Sequence, residues 1–218
     1  MNIEEIKLGE HIVIYRSVYP DEYSKDKMIY AVKQNEEMFG YTKEGYGGQS
    51  VLFMDTPEFT KIKNYGIEVC KTLSNLNETN WDGSYLIKSW AFHISEQLKE
   101  YYRNASYALK YKRNTQELKD SYHRHPFVMD EYPNVKNDWS FCFYLQIPSD
   151  LTADEGKFTI IDEEDNVFAI EVKEGDMLFF KPEVAHRPHP IPNSAQERIS
   201  ICSNITFRLP NLKKTNLI

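Results

Sequence analysis

Cysteine is scarce in this chain, with only Cys70, Cys142 and Cys202 in 218 residues. An odd number, far apart and without CxxC spacing, speaks against both a disulfide framework and a zinc ribbon, and fits a reducing cytoplasm. Long apolar runs are missing too. Nowhere do eighteen apolar residues follow one another, so no membrane-spanning helix is predicted, and the opening MNIEEIKLGEH has no apolar core of signal-peptide length. The expectation is a soluble protein without a visible export signal. Positive charge is in deficit, with 26 Lys and Arg against 33 Asp and Glu and a net charge of −7. Binding to a phosphate backbone needs clustered Lys and Arg on one face, so nucleic acid is not an expected partner. One basic stretch stands out: Lys99, Arg103, Lys110, Lys112 and Arg113, interleaved with Tyr101, Tyr102, Tyr107 and Tyr111. Such runs are more often solvated faces with the tyrosines packing inward, and this one remains a candidate substrate-facing surface.

What is present is the material of a folded core: 41% hydrophobic and 14% aromatic residues, with no segment polar enough to stay disordered by composition before Pro210. The length suits a single domain over residues 1–218, with a strand and two helices in 1–78 and a β-rich core in 79–210. His11–Tyr15 is β-branched and alternating, a strand. A helix is predicted from Pro20-Asp21-Glu22 to about Phe39, with Ile29, Val32 and Met38 inward. Gly40, Gly45, Gly47 and Gly48 then suggest a loop. A second helix is predicted from Thr56-Pro57-Glu58, with Thr as cap and Pro in the first turn, to about Leu76. After Asn77 the character becomes strand-like: 85–93, 139–147, 156–161, a hairpin at Asp162–Asn166 into 167–172, then 177–180 and 198–205. The stretch Ile94 to Lys119 mixes both characters. Short strands at regular spacing predict a mostly β (α+β) sandwich or barrel, with the two N-terminal helices covering one face.

Four of six histidines fall into two groups, His123-Arg124-His125-Pro126 and His186-Arg187-Pro188-His189-Pro190. Histidines two apart on a strand point to the same side, and a third imidazole from a distant strand could complete a metal-ligand set with open positions. His-x-His also occurs by chance at surfaces. The second group adds weight, because Glu174 to His186 reads as a turn, a buried apolar strand, a Pro-marked loop and then a histidine delivered to a barrel mouth. Twelve residues on, Arg198, Ser200, Cys202 and Asn204 share one face of a strand, with Ile199, Ile201 and Ile205 on the other. Facing inward, Arg198 would be a buried charge in need of an anion, for which a carboxylate held by its guanidinium fork and by Ser200 is the natural choice. Facing outward, it would simply be solvated. Spacing alone leaves both open.

The series His-x-His-Pro, Trp-Ser-x-x-x-Tyr-Leu-x-x-Pro, Gly-Asp-x-x-x-Phe-x-Pro-x-x-x-His and Arg-Ile-Ser-Ile-x-x-Asn resembles the Fe(II)/2-oxoglutarate-dependent oxygenase superfamily. The nearest likeness is to the oxygenases common in bacteriophage and marine bacterial genomes. It spans about residues 85–207, and His11 to Phe39 resembles the family's lead-in. It implies a double-stranded β-helix, also called a jelly roll or cupin-like barrel, with His186 as distal iron ligand, His123 as first ligand and Arg198, assisted by Ser200, binding the 2-oxoglutarate 5-carboxylate. Tyr144 is the best candidate for a hydroxyl to 2-oxoglutarate; Trp90 and Asn204 are further candidates facing the site. The departure lies at His125, where the family has a carboxylate. Either iron has three imidazoles, or Asp130 or Asp138 serves, or the acid is absent. Residues between Pro126 and Trp139 look like an insertion that lengthens a substrate-side loop. The cosubstrates implied are Fe(II) and 2-oxoglutarate, and the reaction a hydroxylation releasing succinate and CO2.

Two other readings compete. A cupin also carries Gly175-Asp176, Pro182 and His186 in such an order, and would use a metal without 2-oxoglutarate. A non-catalytic jelly-roll binding module would leave the histidines scattered. The substrate, a small molecule or a peptide, is not legible, and the aromatic-rich helices offer a surface for a homodimer.

Overall fold

A computed structural model describes residues 1–44, 47–51, 56–77, 81, 83–96, 122–125, 137–153, 155–189, 191 and 193–207. The basic, tyrosine-rich stretch, most of the ambiguous segment after Ile94, Asp130 and the lengthened loop before Trp139 lie outside them. Among the described residues the order is β1 (Glu4–Leu8), β2 (Ile12–Val18), α1 (Lys25–Phe39), β3 (Thr42–Glu44), β4 (Gly47–Val51), α2 (Pro57–Leu73) and β5 (Leu86–Ile94), followed by β6 (Trp139–Gln146), β7 (Phe158–Ile161), β8 (Val167–Ile170), β9 (Asp176–Phe180), β10 (Ala185–Pro188) and β11 (Arg198–Thr206). All pairings between them are antiparallel. Eight strands form one sheet in the order β1-β2-β9-β6-β11-β5-β4-β3, and β10-β7-β8 form a second. No helix among these residues is long and apolar enough to cross a membrane.

The large sheet is covered on both faces, which explains why its central strands read as unbroken apolar runs rather than alternating ones. On one face Phe141, Phe143, Leu145, Met177, Phe179, Ile199, Ile201 and Ile205 pack against Met28, Ala31 and Val32 of α1 and Phe59, Ile62, Ile67 and Cys70 of α2. On the other, Trp90, Phe92, Cys142, Tyr144, Leu178, Phe180 and Cys202 meet Phe158, Ile160 and Ile170 of the small sheet. The two helices therefore cover one face, as the sequence suggests.

Local rules account for most element ends. The Thr56 hydroxyl accepts the Phe59 N–H at 3.2 Å with Pro57 in the first turn, so α2 starts where expected. It stops at Leu73, three residues early. Asp165 takes a left-handed turn conformation with φ 68° in the hairpin between β7 and β8, where the Asp162 carboxylate accepts the Glu164 and Asn166 N–H groups. β8 ends at Ile170 rather than Val172. Two expectations fail more substantially. Met38 is 64% exposed, because the buried stripe of α1 runs through Met28, Ala31, Val32 and Asn35 and has rotated away by the last turn. Part of the glycine-rich segment is strand: Gly47 and Gly48 open β4, which pairs antiparallel with β3, and Gly48 opposes His93 on β5.

A buried ionic cluster fixes α1 to the sheet. His93 on β5 is 4% exposed, with Nδ1 2.9 Å from Glu36 Oε2 of α1 and Nε2 3.5 Å from Glu197 Oε2, which also pairs with Lys33 at 2.6 Å. Burial alone would lower the His93 pKa, but the Glu197 carboxylate beside Nε2 and the hydrogen-bonded Glu36 carboxylate raise it to about 9. Hydrogen bonding from His93, followed by Lys33, pulls Glu197 down to about 2 against burial. The raised histidine stabilises the fold fully below its unfolded value near 6.5 and loses that contribution as pH rises through 9; the depressed carboxylate contributes above about 4.5 and loses it as pH falls through 2. Melting temperature measured against pH should therefore peak between these limits, and His93→Gln should flatten the alkaline limb. Packing gives a second test. A Cβ on Gly66 of α2 would sit 2.6 Å from Cε2 and Cζ of Phe141, a ring buried to 1%. Gly66→Ala should cost about 1–2 kcal/mol in denaturant unfolding, since overpacking a core ring outweighs the better helix propensity of Ala.

Candidate metal centre and anion pocket

Backbone pairing brings the two histidine groups together. His123 and His186 exchange both backbone hydrogen bonds, at 3.1 and 3.0 Å, and the His125 N–H donates to the Pro182 carbonyl at 2.8 Å. The Asn137 amide donates to the His125 carbonyl at 2.6 Å, tying this segment to the chain just before β6. The rings follow: centroids lie 4.7 Å apart for His123 and His125, 4.5 Å for His123 and His186, and 5.1 Å for His125 and His186. One nitrogen from each falls within 4.8 Å of the others, a group able to hold a metal ion. His186 is stacked on Phe158 at 5.4 Å and meets the edge of Phe180 at 4.5 Å, while Trp90 lies 5.2 Å from His125.

The protonation state suits coordination. His186 Nδ1 lies 2.8 Å from the Val184 carbonyl, which can only accept, so Nδ1 carries the proton and Nε2 presents its lone pair. Burial first, then His123 and Lys88, lower the His125 pKa to about 3. Burial and the two neighbouring imidazoles hold His186 well below its usual value. Neutral imidazole is the form a metal binds. Asp138 does not join this group; its carboxylate accepts the Phe207 N–H at 2.7 Å.

The same cleft contains a buried charge that is only partly partnered among the described residues. It is lined by the three histidines together with Trp90, Tyr144, Arg198, Ser200 and Asn204, and spans about 470 Å³ including its mouth. Arg198 opens β11 and is 1% exposed, so the arginine face of that strand looks inward. Its Nε and Nη1 have no hydrogen-bond partner among the described residues, nor has the buried Tyr144 hydroxyl. Tyr144 stays a phenol, its pKa raised first by burial, and Arg198 lies over its ring at 5.4 Å. Burying a guanidinium with unpaired nitrogens is costly, and an anion with oxygens in fork geometry would offset that cost. Asn204 is held by Ser140, whose hydroxyl donates to its amide oxygen at 2.8 Å.

No protein-family model matches the sequence, and neither does any curated protein. Solved structures do match. A prolyl-4-hydroxylase from Pseudomonas putida aligns over 90% of this chain and 93% of its own at 12% identity and a TM-score of 0.53. A Trichoplax adhaerens prolyl hydroxylase, solved in complex with a hypoxia inducible factor oxygen degradation domain peptide fragment, covers 89% of this chain and 83% of its own at 13% identity and 0.52. The non-heme alpha ketoglutarate dependent carbocyclase SnoK from nogalamycin biosynthesis covers 87% and 78% at 12% identity and 0.54. The fold is the double-stranded β-helix of the 2-oxoglutarate oxygenases. At these identities the likeness concerns the fold alone, and the eleven strands, two covering helices and inward cleft of the described residues are one version of that β-helix.

Sequence reasoning missed several residues around the cleft. Phe158 and Phe180, which wall His186, read only as core, and Cys142 and Cys202, distant in sequence, are cross-strand neighbours here. Strand register was the signal that could have paired the cysteines. For the imidazole group, His186→Ala should weaken Fe(II) or Co(II) binding by at least the roughly 10–100-fold that loss of a ligand's outer partner costs, measured by anaerobic titration, with folding unchanged by circular dichroism.

Proposed function

We propose that this protein is an Fe(II)- and 2-oxoglutarate-dependent oxygenase that hydroxylates a small-molecule or peptide substrate, with residues 1–218 acting as one domain. The observation that carries the reading is that three imidazoles and a buried, partly unpartnered arginine open into one cleft. His123, His125 and His186 would hold the metal. Arg198 would take the distal carboxylate of 2-oxoglutarate, with the hydroxyls of Ser200 and Tyr144 as further donors. Bound together, iron and 2-oxoglutarate supply an oxidation of the substrate coupled to release of succinate and CO2.

The chain's own groups orient and shield. The Val184 carbonyl fixes the tautomer of His186, and Phe158 and Phe180 hold its ring and keep water from one side. Without a carboxylate among the three ligands, the positive charge of the metal would be left for an anionic cosubstrate to balance. Asn204, oriented by Ser140, presents an amide on the same face of β11 as Arg198. The peptide bound by the Trichoplax neighbour makes peptide residues a reasonable first substrate class to screen. A cupin-type enzyme without 2-oxoglutarate would leave the Arg198 charge without a purpose, and a binding module would leave the convergence of three imidazoles without one.

Succinate release from 2-oxoglutarate with Fe(II) and ascorbate is the test. Arg198→Ala should raise the KM for 2-oxoglutarate by about 10–100-fold, the loss of a charged hydrogen-bonding partner, while leaving Fe(II) affinity near the parent value. Succinate formation with an unaltered KM in Arg198→Ala would contradict the assignment.

A further inference from the structure

Cys142 on β6 and Cys202 on β11 are direct cross-strand partners, with Sγ atoms 3.2 Å apart. Both are free, each is 8% exposed, and both line the cleft beside Arg198 and Tyr144. Cys202 Sγ is also 3.9 Å from Ser200 Oγ. Directly opposed residues of an antiparallel pair have Cα atoms about 4.5–5.5 Å apart, inside the roughly 4.4–6.8 Å that a disulfide spans. A bond of about 2.05 Å then needs the sulfurs to close by only about 1 Å, within reach of side-chain rotation. The third cysteine, Cys70, lies on the opposite face of the sheet among the helices. It is not placed to compete.

We propose that Cys142 and Cys202 are a reversible redox site, oxidised by hydrogen peroxide to a cross-strand disulfide that weakens anion binding at the Arg198 end of the cleft. The cleft is the oxidant's route, because burial shields both sulfurs elsewhere and admits only a small reagent. Cys142 loses its thiol proton and its sulfur attacks one peroxide oxygen; the O–O bond breaks, water leaves and a sulfenic acid remains. The Cys202 sulfur displaces that hydroxyl, its own proton leaving with it as a second water. The two sulfurs lose two electrons, and the two peroxide oxygens gain them. The hydrogen bond to Cys202, followed by burial, holds Cys142 protonated, while Arg198 alone works toward the thiolate, so the reaction is slow compared with that of an exposed thiol. The new bond draws Cys202 Sγ toward β6 and away from Ser200, the hydroxyl read above as an aid to Arg198. The disulfide itself does not depend on the proposed function; its effect on 2-oxoglutarate does.

The full-length protein, reduced and then treated with hydrogen peroxide, is denatured, alkylated and mapped by mass spectrometry. The expected result is a peptide pair joined through Cys142 and Cys202, lighter by two hydrogens, with Cys70 alkylated and the link reversed by dithiothreitol. Cys142→Ser and Cys202→Ser should each abolish it. Calorimetric affinity of the Fe(II) protein for 2-oxoglutarate, measured without oxygen, should fall by about two- to tenfold on oxidation and return on reduction. Free Cys142 and Cys202 after peroxide has fully oxidised a glutathione control, or a link to Cys70, would overturn the site. A disulfide with unchanged affinity would overturn its effect on the cleft. A disulfide in a protein that never binds 2-oxoglutarate would count against the proposed function and leave the redox site standing.

Discussion

A guanidinium buried to 1% exposure, with two of its nitrogens unpaired among the described residues, is the constraint around which this molecule is organised. Withdrawing that charge from water costs several kcal/mol, and the cost is tolerated where an anion completes the pair. Arg198 can sit there because β11 alternates: its isoleucines point toward the helices, so its polar residues must point the other way. The large sheet thus has a structural face and a chemical face, and the small sheet closes the chemical face into a cleft. Glu197, the residue before Arg198, is tied through His93 and Lys33 to β5 and α1. The start of β11 is thereby anchored on the side away from the cleft, which limits how far Arg198 can drift.

The imidazole group obeys a related logic. Burial removes the charge from His125 and His186 and leaves lone pairs available, while backbone bonds between His123 and His186 fix their approach independently of any ion. A site organised in this way needs little rearrangement when a metal arrives. Uncharged His125 and His186 beside the Arg198 guanidinium leave the cleft favourable to anions, and this is the electrostatic setting in which two thiols have been placed side by side.

Much of this is legible in the sequence, and the rest is hidden for identifiable reasons. The central strands, the capped start of α2 and the histidine pairs follow from local signals such as Thr56-Pro57, His-x-His and long apolar runs. The direction of Arg198 did not follow, because alternation gives two faces and only tertiary packing says which is inside. The β3–β4 hairpin was concealed by glycines that favour turns, although Gly48 opposite His93 fits a closely packed strand. Met38 is apolar but lies off the buried stripe of α1, which runs through Met28, Ala31, Val32 and Asn35. Asp138 had the right chemistry for a ligand and is instead used by the Phe207 backbone. Cys142 and Cys202, sixty residues apart, become neighbours only through the register of β6 on β11.

The most direct test of the central claim is an anaerobic titration of the Fe(II)-loaded protein with 2-oxoglutarate, followed by visible absorption. The account predicts a weak metal-to-ligand charge-transfer band that saturates at one equivalent and requires both His186 and Arg198. Fe(II) binding with no such band at any 2-oxoglutarate concentration would contradict it.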